Sequence, residues 1–411
     1  MMKNSLLKAM AAVVLLFTYG CENSSNARLK ISSINFNDMG FKACVEDLGL
    51  IYADEVLTLN CDDQDIVSAA GIEHFTNLGS LNLGGNFISE IDLSDNTSLT
   101  ELRLYQNILV ELDLSALSLL TYADIGGNKL SSILLPEEST LTNLDASVND
   151  LSSIDLSNQS SLEHLSLRNN KFTSINLTGA VSLKSLDANY NQMAAFNPPL
   201  IDTLERVKLG YNQLTELSVC HNQNVEYLFI QKNQLTNIDL SDCQNLKSAF
   251  LSENQFTSID LSNNVNLGFL VAAFNNLDSI DLSNNVNLYY LYLSDNNLNA
   301  LDLTHNPLLE NVYLSNNNLT ELNLLENTVL YEVNAESNNI ASVELPNTDT
   351  LFRVIFNDNQ LTSFDASSAT GLNTIELSNN HLTSLNVSAN VELSRLMAMG
   401  NSLSTIDVSQ N

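Results

Sequence analysis

A hydrophobic pattern that recurs every 21 residues organises the chain. Sixteen asparagines stand at this spacing, without insertion, from Asn86 to Asn401, and each ends a segment of the form L-x-x-L-x-L-x-x-N, as in 99–107. Alternating apolar residues over so short a segment predict a strand whose leucines point inward and whose x residues point outward. The other half of each repeat has the form I-D-L-S or a variant of it, as in 259–262, and recurs with the same period.

A period of this length predicts a solenoid. One turn cannot bury its own apolar face, so successive turns stack and their strands pair into one long parallel sheet. The leucine halves would form this sheet, and the I-D-L halves would form the opposite wall, with Ile and Leu inside and Asp outside. The 411 residues therefore predict one elongated domain, where length alone would suggest two or three.

The array resembles bacterial leucine-rich repeats of the short 21-residue class, with the nested L-D-L half of internalin J-like surface proteins. The resemblance covers residues 57–411 and rests on sixteen unbroken copies. It implies a leucine-rich repeat solenoid that is mostly β: a curved right-handed coil with one long parallel sheet, sixteen 21-residue turns and an N-terminal helical cap. It also implies adhesion or recognition at a surface, without naming a ligand.

The first residues have the pattern of an export signal. Two lysines come before or next to the apolar run 9–17, and a Thr-Tyr-Gly-Cys segment that ends at Cys21 follows. This segment resembles the lipobox of bacterial lipoproteins, although Thr18 stands where that family prefers leucine. We expect a signal peptide at 1–20, a lipidated Cys21 with a polar tether at 21–30, and a protein anchored to the bacterial envelope, at the outer membrane or cell surface. An ordinary cleaved signal with an incidental Cys21 is the alternative.

The two ends of the exported part differ. An N-terminal cap is expected at 31–77, where Asp38 precedes apolar residues at helical spacing and so predicts a helix. The repeat array then runs over 78–411 and stops at Asn411, with no polar capping segment after the last I-D-L-S half. Because terminal repeats normally need a polar face, the last turn is expected to fray, to pack on a partner (self-association included), or to mark a truncation.

Four cysteines fall in the exported part, where disulfides are permitted. We predict that a Cys44–Cys61 bond ties the cap helix to the first strand, with two buried free thiols as the alternative. Cys220 and Cys243 lie in adjacent turns on the wall that carries I-D-L-S, two positions out of register. A disulfide there is a second candidate.

Outward-facing positions supply the candidate binding site. The fifth position of each repeat forms a central column on the predicted sheet; it is polar in the first six copies and apolar or aromatic from the eighth to the twelfth. Exposed aromatic clusters are typical of binding hot spots. Rings that stack across strands and merely stiffen the sheet are the alternative. The predicted contact residues are Tyr227, Phe229, Phe250, Phe269, Tyr289, Tyr290, Tyr292 and Tyr313.

Charge separates the two walls. The chain has 48 acidic and 16 basic side chains and a formal net charge of −32, which argues against nucleic acid and anionic lipid surfaces as partners. Many acids occupy the Asp position of I-D-L-S, whereas Arg206 and Lys208 lie beside the aromatic cluster and would steer an acidic ligand. The repeated Asp position could attract Ca²⁺, but no segment has the spacing of a dedicated calcium loop, and solvation alone accounts for it.

The chain shows no catalytic pattern. No two of its five histidines share neighbouring turns, so neither a metal site nor a base–nucleophile pair is predicted. The sequence therefore predicts a non-enzymatic protein, with no cofactor or metal, that binds a protein ligand through the sheet face of its repeats. Two alternatives stay open: a structural or self-associating envelope protein, and a carbohydrate-binding surface protein, since aromatic faces also stack on sugars.

Overall fold

Inward leucines and outward polar residues form a short strand at the same place in every turn. The computed structural model of the protein describes residues 28–137 and 139–411; the predicted signal peptide and Cys21 lie outside them. In Ser80–Asn82 the middle leucine is buried and its neighbours are half-buried. The alternation in the sequence is thus the alternation of side chains across a strand.

These strands pair into one long parallel sheet of seventeen described strands. After the first pair the register advances by 21 residues per strand, so Leu81 lies opposite Leu102, and Leu102 opposite Ala123. Equivalent repeat positions therefore form straight columns across the sheet. The strands, in chain order, are Thr58–Asn60, Ser80–Asn82, Glu101–Arg103, Tyr122–Asp124, Asn143–Asp145, His164–Ser166, Ser185–Asp187, Arg206–Lys208, Tyr227–Phe229, Ser248–Phe250, Phe269–Val271, Tyr290–Tyr292, Asn311–Tyr313, Glu332–Asn334, Arg353–Ile355, Thr374–Glu376 and Arg395–Met397.

The I-D-L halves form the opposite wall, with buried leucines such as Leu261 and Leu282. Turns make up most of this wall. Four two-stranded parallel pairs lie on it: Glu111–Asp113 with Ser132–Leu134, Ala195–Phe196 with Glu216–Leu217, Glu321–Asn323 with Ser342–Glu344, and Ser363–Asp365 with Ser384–Asn386.

The repeated asparagine ties neighbouring turns together. The Nδ2 group of Asn275 donates to the carbonyl oxygens of Leu251 in the preceding turn and Ala272 in its own turn, each at 3.2 Å, and Oδ1 accepts the backbone N–H of Phe256 at 3.1 Å. All sixteen asparagines accept a backbone N–H from the preceding turn in this way. The residue before each of them has a left-handed backbone, which turns the chain out of the strand.

The cap has the predicted helix, Met39–Glu46, with short 3₁₀ helices at Ile31–Ser33, Ala53–Glu55 and Ile72–His74. The Asp38 carboxylate accepts the backbone N–H groups of Phe41 and Val67, both at 2.9 Å, so it caps the helix and fixes it to the following loop. The Cys44–Cys61 disulfide is confirmed and joins this helix to the residue after the first strand.

The second predicted disulfide, Cys220–Cys243, is also confirmed, and both residues are buried in the outer wall. At the other end of the array, Leu396 is only partly buried, whereas the equivalent Ile375 one turn earlier is fully buried. Self-association at this turn stays a prediction. In the described parts of the chain, no helix combines the length and the apolar character that crossing a membrane requires.

The outer-wall aspartates shape local turns. The Asp239 carboxylate accepts the Ser241 hydroxyl at 2.6 Å and the Ser241 backbone N–H at 3.0 Å. Because these bonds favour the ionised carboxylate, they hold the pKa below its usual range. Eight other aspartates accept the same backbone bond and also have a lowered pKa: Asp92, Asp113, Asp155, Asp260, Asp281, Asp302, Asp365 and Asp407.

Acid is expected to destabilise the solenoid through these carboxylates. Their folded pKa lies below the unfolded value of about 3.9, so their contribution is present above about pH 4 and is lost as the pH falls through the folded pKa. Asparagine at Asp239, Asp260 and Asp281 should preserve the turns, since Asn176 accepts the same bond from Thr178. This triple variant should show a smaller drop in urea midpoint between about pH 6 and pH 3. Equal drops in the two proteins would contradict this role.

Candidate functional site

The 21-residue register brings the predicted aromatic residues onto one part of the sheet face. Phe229 lies opposite Phe250 in the central column, Val271 follows Phe250, and Tyr292 lies opposite Tyr313. In the neighbouring outward column, Phe269 and Tyr290 are paired in the same way. We call the set Phe229, Phe250, Phe269, Tyr290, Tyr292 and Tyr313 the aromatic stripe.

Four rings of the stripe stack face to face across four turns. The ring centroids are 4.6 Å apart for Phe229 and Phe250, 5.0 Å for Phe250 and Phe269, and 4.2 Å for Phe269 and Tyr290, with interplanar angles of 15°, 29° and 4°. The stack crosses from the central column to its neighbour between Phe250 and Phe269. Cross-strand stacking, which the sequence offered as the alternative to binding, is therefore present, and it leaves the ring edges facing outward.

The stripe ends in three tyrosines whose rings are inclined to one another. The Tyr290 and Tyr313 rings are 5.7 Å apart at 47°, and the Tyr292 and Tyr313 rings are 5.5 Å apart at 60°. The Tyr313 hydroxyl lies 3.3 Å from Oε2 of Glu332, to which it donates. Burial, followed by the charge of Glu332, raises the pKa of Tyr313 to about 12.

The stripe is half-buried, and Tyr289 extends it as an exposed ring. The side chain of Tyr289 is 45% exposed and packs edge-on against Phe269, with the centroids 6.0 Å apart. Gly268 makes room for this ring, since a Cβ at residue 268 would lie 2.7 Å from Cε1 of Tyr289. A second exposed pair, Tyr331 and Phe352, stacks at 5.4 Å farther along the sheet.

The predicted steering residues lie at the opposite end of the stripe. Arg206 lies over the Tyr227 ring at 4.6 Å, and Lys208 lies 5.8 Å from the centroid of Phe229. The Lys208 ammonium also pairs with Asp187 at 3.4 Å. The charge of Lys208 is thus partly balanced within the protein, and both cations already face aromatic rings.

Sequence reasoning missed a second aromatic cluster, which lies just after the strands. Tyr190 and Tyr211 stack at 4.0 Å, Arg168 covers Tyr190 at 4.7 Å, and Lys232 covers Tyr211 at 5.0 Å. The sequence could have indicated this cluster, because two consecutive repeats have a tyrosine at the same repeat position, Tyr190 and Tyr211. Each of the two tyrosine rings thus has the other ring on one face and a cation near its centroid, so the cluster stabilises the packing of neighbouring turns. In the described chain, no group of three or more His, Cys, Asp or Glu side chains is placed to hold a metal ion.

Comparison with known proteins identifies the fold as a leucine-rich repeat solenoid of about sixteen turns. No family model and no curated protein matches the chain. InlJ of Listeria monocytogenes is similar at 24% identity over 90% of this chain and 75% of that one, with a TM-score of 0.58. YopM of Yersinia enterocolitica shares 23% identity over 89% and 90%, with a TM-score of 0.64.

A third similar structure is the Arabidopsis receptor kinase HAESA, solved with the peptide hormone IDA. It shares 23% identity over 82% of this chain and 68% of that chain, with a TM-score of 0.58. At these identities the shared property is the fold.

Proposed function

We propose that this protein binds a protein ligand, without catalysis, through the aromatic stripe on the sheet face of its solenoid. The observation that carries the proposal is the contiguous set of six half-buried rings across five turns, with the exposed Tyr289 beside it. Apolar surface of this kind mostly marks an interaction site, and tyrosine is enriched among hot-spot residues. The peptide bound to HAESA provides precedent for a peptide ligand on a similar solenoid.

The stacking pattern favours a protein ligand over a carbohydrate. Aromatic residues bind sugars by lying flat against the ring of the sugar. In the stripe, both faces of Phe250 and Phe269 are covered by neighbouring rings at 4.2–5.0 Å. The edges that remain suit apolar side chains and carbonyl oxygens. Arg206 and Lys208 then flank the stripe, where we propose that they meet an acidic group of the ligand.

We further propose that the protein acts at the bacterial cell surface. The support is the sequence before the described residues: a positive start, a short apolar run and the lipobox-like segment that ends at Cys21. A lipid on Cys21 would hold the solenoid at the envelope, with the polar tether between the lipid and the cap. Loss of palmitate labelling in Cys21→Ser would support the anchor, and labelling that persists would refute it.

A double substitution tests the binding site. In Phe250→Ser,Tyr292→Ser, capture of ligands from host and envelope extracts by the exported part of the protein should fall at least about tenfold, since two hot-spot side chains are lost. Asn82→Ser,Asp145→Ser changes the same column outside the stripe and should leave capture intact. If the first variant lowers the thermal midpoint strongly while capture persists, the rings serve only to stiffen the sheet.

A further inference from the structure

The two ends of the aromatic stripe differ in whether a lysine or arginine of the protein itself lies over the rings. At one end, Arg206 and Lys208 already face the rings of Tyr227 and Phe229. Beyond Lys232, no lysine or arginine of the described chain lies over an aromatic ring. The protein therefore places its own cations over the aromatic rings at one end of the stripe and over none of the described rings at the tyrosine end.

Ring geometry also changes along the stripe. Phe250 and Phe269 each have a ring stacked on both faces. Tyr292 and Tyr313 have no parallel-stacked partner among the described residues; they contact each other at 60°. No parallel ring therefore covers the faces of Tyr292 and Tyr313, and an aromatic face attracts a cation that lies within about 6 Å of its centroid.

The charged side chains of the outward segments at the tyrosine end are all acidic. The outward segments 205–211, 226–232 and 247–253 hold three acids and four bases, so they are nearly balanced. The segments of the tyrosine end, 289–295 and 310–316, together with the next turn, hold four acids and no base: Asp295, Glu310, Glu332 and Glu336.

Glu332 links these acids to the rings. Its Oε2 accepts the Tyr313 hydroxyl, and its other oxygen lies 3.4 Å from Arg353 of the next turn. Arg353 also pairs with Glu376 at 3.2 Å, so its charge is divided between two carboxylates. Burial and, after the neighbouring Tyr292, the charge of Glu332 raise the pKa of Tyr290. The tyrosine end thus keeps an excess of negative charge.

We infer that Tyr290, Tyr292 and Tyr313, beside Glu332, receive a lysine or arginine side chain of the ligand. The inference rests on the proposed function, which supplies the protein ligand. The turn of Tyr292 lies two strands beyond the turn of Phe250, or about 10 Å at the usual strand spacing. The ligand therefore presents an apolar group to the phenylalanines and a basic group about 10 Å farther along the solenoid.

Two small probes test the inference: N-acetyl-lysine methylamide and its norleucine counterpart, which has a similar side chain without the ammonium. Saturation-transfer NMR on the exported part of the protein should show about two- to fivefold stronger binding of the lysine probe, as expected for a cation at exposed rings. Tyr292→Leu,Tyr313→Leu should abolish this preference while it retains apolar area. The matched variant Phe229→Leu,Phe250→Leu should keep it, and Glu332→Gln should reduce it.

Equal binding of the two probes, or a lysine preference that survives Tyr292→Leu,Tyr313→Leu, would overturn the inference. The proposed function fails separately. If the lysine preference is absent but Phe250→Ser,Tyr292→Ser still abolishes capture, the stripe binds its ligand without a cation at the tyrosine end. If capture survives that double substitution, the stripe is not the ligand site, whatever the lysine probe does.

Discussion

Replacing Asn275 by alanine is expected to lower the free energy of unfolding by about 2–4 kcal/mol. The side chain is almost fully buried near the middle of the array, where it bonds the buried backbone on both sides of a turn boundary. Its removal leaves the N–H of Phe256 buried without a partner, which costs about 1–3 kcal/mol. The carbonyls of Leu251 and Ala272 keep one amide donor each and lose the second, which costs about 1 kcal/mol more. Urea unfolding followed by circular dichroism measures the loss.

A neighbouring residue provides the control. Asn276 follows Asn275 directly, but its side chain is exposed, so Asn276→Ala should change the free energy of unfolding by less than about 0.5 kcal/mol. Asn275→Asp should be no milder than alanine, since it keeps an acceptor for Phe256 but loses the amide donor and places a charge inside. If Asn275→Ala and Asn276→Ala have the same midpoint, the repeated asparagine does not hold the turns together.

Strict periodicity made the fold and the columns predictable. Because no copy contains an insertion, residues 21 apart must meet, and the pairs Phe229–Phe250 and Tyr292–Tyr313 follow from counting alone. Counting also made Cys220–Cys243 a candidate disulfide, since the two residues lie in adjacent turns, whereas the Cys44–Cys61 prediction came from the cap helix and the first strand.

Side-chain direction within a column was not predictable. Phe250 and Phe269 occupy different columns, yet their rings stack, because a phenylalanine side chain reaches diagonally to the next strand. The outer-wall aspartates were expected to be solvated, and their bonds to the residue two positions later emerged only in the structure. The left-handed backbone of the residue before each repeated asparagine was also hard to predict from the sequence, because thirteen of these sixteen residues are not glycine.

Loss of the Cys220–Cys243 disulfide is expected to have an effect of similar size to Asn275→Ala. The bond closes a loop of 23 residues, for which the chain-entropy model gives about 3 kcal/mol of stabilisation. Cys220→Ser,Cys243→Ala should lower the free energy of unfolding by about that amount, as measured by urea unfolding. Dithiothreitol should lower the midpoint of the native protein more than that of the variant, which keeps only the Cys44–Cys61 disulfide.

The repeat itself supplies a partial rescue of this loss. Residue 243 takes the place that Asn264 and Asn285 hold in the next turns, where each amide donates to two carbonyls of the preceding turn. Cys220→Ser,Cys243→Asn should therefore regain about 1 kcal/mol relative to the alanine variant, through hydrogen bonds to Val219 and Asn222. If asparagine and alanine are equivalent at residue 243, the new side chain does not bond the Val219 and Asn222 carbonyls, and the expected rescue is refuted.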